Sequence, residues 1–146
     1  MTVPTMPAEA SASAAAVTPT TPPPSASPRL VAAVVCGQRI ALPCPQWCVI
    51  DHASENVINL DDFSHDGAPI SLRVPVTGAA ERVLIARLSQ WPFASDEAGR
   101  AAYLRLEGTD DGEVANLPTS AALAFADQLV AHAEGIRALA GVLADA

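Results

Sequence analysis

Residues 43–69 read PCPQWCVIDHASENVINLDDFSHDGAP, and this stretch decides what kind of fold the chain can adopt. It holds three prolines, two of the three histidines and a scatter of acids, with no sustained apolar period. A structureless loop of about 26 residues is rare inside a compact domain. Ordinary apolar burial does not suffice to order it. Four of its side chains offer a reason for order: Cys44, Cys48, His52 and His65, spaced C-x3-C-x3-H-x12-H. Two thiolates and two imidazoles are a standard tetrahedral zinc set.

Geometry limits how such a site can form. A straight helix over residues 45–52 would separate Cys44 from His52 by about 12 Å along its axis. One zinc ion with bonds of roughly 2.0–2.3 Å does not span that distance. The segment must break or curl, or only three of the four residues bind. Pro45 suits the first position of a short helical turn. Asp51 or Asp66 is expected to hold an imidazole from behind. With four protein ligands the shell is closed and the site structural. With three, water takes the open position and hydrolytic chemistry becomes available. The competing reading has the cysteines, one beside Trp47, as core residues and both histidines as solvated.

Outward from this stretch the chain reads as ordinary α+β sequence. Residues 30–35 and 38–42 are apolar and partly β-branched around Cys36-Gly37, a tight hairpin or a bent strand. Residues 71–76 alternate as a strand, Gly78 marks a turn, and residues 82–88 are the strongest strand candidate. Asp96, Glu97 and Gly99 form a loop. In a strand over 102–107, Tyr103 and Arg105 share one face and Leu104 and Leu106 the other. Residues 108–112 make an acidic turn that includes Asp110 and Asp111. Thr119 is the expected N-cap of a helix over residues 120–143. Phe125, Leu129, Ile136 and Leu143 form its apolar stripe, bordered by alanines at 122, 126, 133 and 140. Gly135 weakens that helix by up to ~1 kcal/mol relative to alanine. The expected fold is one α+β domain over residues 29–146. It has a small antiparallel sheet of about four strands, one long C-terminal helix packed across it, and the Cys/His loop at one end.

Residues 1–28 differ in texture. They contain seven of the 13 prolines, much Ala, Ser and Thr, and Glu9 as the sole charge. Such a segment cannot bury enough apolar surface to offset its ordering entropy, so a disordered tail is expected. Over the whole chain the net charge is −8, and all eight basic residues are scattered arginines. A phosphate backbone is usually met by a basic patch, so nucleic-acid binding is disfavoured. Half the residues are hydrophobic, but 30 are alanine and six are aromatic, so a metal staple or a partner would supplement a modest core. No apolar run approaches the ~18 residues of a membrane span. The N-terminus lacks a signal-peptide pattern. A cytoplasmic location is therefore the default, with thiols free or bound to metal.

Other candidates are weaker. Trp91-Pro92-Phe93 reads as a core plug or an interaction patch. Cys36 reads as a buried or turn thiol and His132 as a packed or partly exposed helix residue. Ser64-His65-Asp66 are adjacent in sequence, which is not the geometry of a catalytic triad.

The string Cys44-Pro45-Gln46-Trp47-Cys48, then Asp51-His52, then His65-Asp66-Gly67, resembles a group of short actinobacterial proteins, abundant in streptomycetes, catalogued as a domain of unknown function. These tend to show a P-x-W-C segment, a following histidine and a later H-x-G, then strands and an Ala/Leu-rich C-terminal helix. The resemblance covers about residues 38–144. It implies a metal site at the same four residues and supplies no activity. The expected function is a small non-enzymatic binding or regulatory module stabilised by zinc, with a protein partner or self-association. Alternatives are a small zinc-dependent enzyme with an open position and a structural domain without metal.

Overall fold

A computed structural model of the chain describes residues 27–76, 79–109 and 112–144. The tail expected over residues 1–28 lies almost wholly outside them, as do Gly78 and the pair Asp110 and Asp111.

The strands divide into two sheets instead of the single sheet expected, and the fold is α+β. In the first, β1 (Arg29–Val35) and β2 (Gln38–Cys44) form an antiparallel hairpin, and β3 (Asn56–Val57) runs parallel to β1 on its other side. The hairpin turns on Cys36 and Gly37, both at positive φ (50° and 74°). Two such residues match the right-handed twist of the flanking strands. Pro43 falls on β2, an edge strand, where its missing N–H leaves no ladder bond broken.

The second sheet is built on β6 (Ala79–Gln90), the longest strand. Along one side it pairs with β4 (His65–Asp66) and β5 (Ile70–Val76). Along the other it pairs with β7 (Tyr103–Glu107), which pairs with β8 (Val114–Leu117), all antiparallel. Ile70 faces Ala86 but Leu72 faces Val83, so β6 carries one extra residue. The bulge falls at Leu84, whose φ is +50° and whose N–H reaches the Gly108 carbonyl at 2.9 Å. A bulge re-aims the residues that follow it. Ile85 and Ser89 beyond it are buried. Between β6 and β7, α1 (Glu97–Arg100) occupies part of the expected loop, capped by the Asp96 carboxylate on the Gly99 N–H at 2.7 Å.

Helix α2 (Thr119–Ala144) begins one residue earlier than expected, with the Pro118 carbonyl accepting from Ala122 N–H. It is not packed across the sheet. Its main strand neighbours are β7 and β8. Phe125 and Leu129 are half-buried, while Ile136, Leu139, Val142 and Leu143 are exposed. Among the described residues no helix is long and apolar enough to cross a membrane.

The core lies elsewhere. Its buried apolar residues are Ala33, Cys44, Cys48, Phe63, Ile85 and Ala86, with His52, His65, Ser89 and Glu107 buried beside them. Four of these ten are the Cys/His set read from the sequence, so the site sits in the core.

Candidate metal centre

Each of the four side chains is aimed by a separate local device. Cys44 ends β2, opposite Arg29 on β1. The chain then turns at Pro45, whose carbonyl accepts from Cys48 N–H at 3.1 Å. No helix forms here. Cys48 makes an isolated antiparallel bridge to Gly67, and Val49 N–H reaches the Asp66 carbonyl. Gly67 N–H in turn reaches the Leu88 carbonyl on β6 at 2.8 Å. The Cys48 segment is thus an added rung on the second sheet, while Cys44 belongs to the first.

His52 is placed by a turn. The Asp51 carboxylate accepts from Ala53 N–H at 3.2 Å and Ser54 Oγ at 2.6 Å, closing the chain on itself. Those bonds, chiefly the one from Ser54, hold the Asp51 carboxyl below its ordinary range. The His52 carbonyl accepts from Val34 N–H, which ties the turn to β1. His65 stands on β4 opposite Gln90.

All four converge. One ligand atom from each of Cys44, Cys48, His52 and His65 lies within 4.8 Å of the others. Cys48 Sγ is 3.4 Å from His52 Nε2, which is 3.2 Å from His65 Nδ1. A tetrahedral ion with bonds of roughly 2.0–2.3 Å has ligand–ligand edges of about 3.3–3.8 Å. Of these two edges, 3.4 Å falls within that range and 3.2 Å just below it. The curl that the sequence required is supplied by the Pro45 turn, the Gly67 bridge and the Asp51 turn acting in succession.

The surroundings favour neutral imidazoles. Burial, with the neighbouring His52 adding to it, pushes His65 down to about 4. Burial likewise lowers His52. The Cys48 thiol is pushed up, first by burial and then partly by Cys44. A buried thiol such as Cys48 resists ionising unless a cation compensates, and a coordinating cation deprotonates its ligand thiols outright. This donor set can hold a metal ion. The four residues are 0%, 3%, 3% and 1% exposed in chain order, so all four donors are buried.

The support behind the imidazoles is aromatic, with one backbone bond. Phe63 stacks at 4.5 Å from His52 and meets His65 edge-on at 5.1 Å. Trp47 also meets His65 edge-on, at 6.4 Å. The His65 ring also hydrogen-bonds the Pro43 backbone. Neither acid performs the role expected of it. Asp51 is consumed by its own turn, and Asp66 accepts from Ser89 Oγ on β6. His52 Nδ1 is buried with no hydrogen-bond partner among the described residues. Phe63 escaped the sequence reading; a lone large aromatic two residues before His65 was the available signal.

The remaining candidates fall outside the cluster. Phe93 is half-buried, 5.9 Å from Phe63, and so lies behind the site. Trp91 is exposed and bonds the Tyr103 side chain. Cys36 is an exposed thiol at the hairpin tip that donates to the Ile58 carbonyl. His132 is exposed on α2.

A family model described as a domain of unknown function, DUF6907, matches residues 15–145. Neither a curated protein nor a solved structure matches the chain significantly.

Proposed function

The chain belongs to the DUF6907 family, whose description states no activity, and we propose that it is a small, non-enzymatic binding or regulatory module stabilised by one structural zinc ion. The observation that carries this is the convergence of Cys44, Cys48, His52 and His65 within 4.8 Å, all buried. Sulfur and imidazole donors in a tetrahedral arrangement favour zinc over the hard, oxygen-seeking cations. Four protein ligands leave no open position for substrate or water, which argues against hydrolytic chemistry. The ion would fasten β2 of the first sheet to the Cys48 and His65 rungs of the second, where few apolar side chains are available to do so.

The partner would be a protein, since no basic patch offers a footing for nucleic acid. Exposed Trp91, the half-buried Phe93 two residues on, and the free edge of β5 are the surfaces through which it would be met. A cytoplasmic setting agrees with three free thiols. The test is elemental analysis of protein purified without a histidine tag, together with X-ray absorption at the metal edge. One zinc per chain with two sulfur and two nitrogen ligands is expected. A folded, metal-free protein would sink the proposal, and a shell of three protein ligands plus water would return the enzymatic reading.

A further inference from the structure

Helix α2 carries side chains in a 4-3-4-3-4 spacing: Phe125, Leu129, His132, Ile136, Leu139 and Leu143. Alternating steps of four and three are the heptad pattern, the seam of a two-stranded coiled coil. The first part of the seam, Phe125 and Leu129, is half-buried, and the helix has β7 and β8 as its main neighbours. The second part is bare. Ile136 is 55% exposed, Leu139 70% and Leu143 79%. An exposed apolar stripe of this kind marks a docking face.

The positions that flank the seam identify the occupant. On one side they are Ala126, Ala133 and Ala140; on the other Gln128, Gly135 and Val142. None is charged. The helix's charges, Asp127, Glu134 and Arg137, fall on the opposite face, where Arg137 pairs with Glu134. A charged partner helix would therefore find no ion-pairing residue beside the seam. Two copies of a chain with net charge −8 repel each other except where the contact is uncharged, and this is such a surface. The alanines let two helix axes approach closely. The chain's own residues 1–26 fit poorly, because Met1, Val3, Met6 and Val17 are their only large aliphatic side chains and do not keep a heptad spacing.

We infer that two copies of this chain associate through α2, residues 136–143 of each helix covering the other. The seam left bare is about 12 Å long, which makes the pair concentration-dependent. The inference stands apart from the metal site and survives or fails independently of it.

Sedimentation equilibrium of the full, metal-loaded chain tests it, from low micromolar to near-millimolar concentration. The mass should rise from 15.0 kDa toward twice that value. Leu139→Glu should weaken the dimer at least tenfold, with zinc content and far-UV circular dichroism unchanged. Val130→Glu, exposed and outside the seam, should leave it as it was. If Leu139→Glu disturbs the helix, Leu143→Gln at its end gives the same reading with less perturbation. A monomer at every concentration would overturn the inference, as would equal weakening by Val130→Glu. Dimers that form only after residues 1–26 are removed would also overturn it, assigning the seam to the tail.

Discussion

Replacing Cys48 with alanine should destabilise the metal-loaded protein far more than the metal-free one. Cys48 is buried, with Sγ 3.4 Å from His52 Nε2 and close to Cys44. In the absence of metal the substitution removes one sulfur atom from a packed position, on the order of 1 kcal/mol. In the loaded protein it also removes a ligand. Loss of a partner one shell further out weakens metal binding by roughly 10–100-fold, so loss of a ligand should cost more. A thousandfold weakening corresponds to about 4 kcal/mol, and this passes into folding stability because only the folded chain presents the site. For a domain of this size the melting temperature moves about 4 °C per kcal/mol. The expected drops are therefore ~20 °C with metal and ~4 °C with chelator present. Thermal denaturation followed by circular dichroism, on both proteins in both conditions, measures them. Equal drops with and without chelator, or an unchanged melting temperature in the loaded sample, would refute the reasoning.

Phe63→Ala removes a fully buried ring that touches both imidazoles; a loss of about 3–5 kcal/mol is expected by chemical denaturation, and a loss under 1 kcal/mol would contradict its placement. Metal-free protein should lose stability as pH falls from about 6.5 toward 4. The folded state holds His65 neutral with its pKa pushed down to about 4, so the unfolded chain binds the extra proton across that window; denaturant titrations at several pH values check the sign, and a maximum at pH 4 would reverse it. Thiol titration of the native, loaded protein should find one fast-reacting group, Cys36, and three after denaturation with chelator; three fast thiols in the native state would mean an open site. Cys36→Ser, at an exposed turn, should change stability by no more than about 0.5 kcal/mol and leave metal content intact.

The parts of this fold that obey a short-range period were legible. The hairpin around Cys36-Gly37 rests on two β-branched runs either side of a turn. The strands at 71–76, 82–88 and 102–107 and the long helix appear within a few residues of where their patterns place them. Short elements held by partners distant in sequence were not legible. β3 has two residues and exists because Cys36 N–H and the β1 backbone take its carbonyls and register. β8 has one half-buried residue in four, too weak a pattern to notice. The packing of α2 was not legible for a related reason. A stripe at helical spacing says that one face wants cover and says nothing of what supplies it.

The four ligands belong to both kinds of knowledge. Residue chemistry and crowding into 22 positions are properties of the sequence: two thiols and two imidazoles in a stretch with no other means of burial. So is the impossibility of one straight helix holding all four, which follows from the rise per residue. Convergence itself was decided by tertiary structure. It needs Gly67 to bridge Cys48 on one side and β6 on the other, β1 to hold the His52 carbonyl, and Phe63 and Trp47 to wall the rings. Those contacts join residues 11 (Phe63 and His52) to 21 (Gly67 and Leu88) positions apart. Local propensity cannot encode them, because each depends on where a separately formed sheet has put its edge.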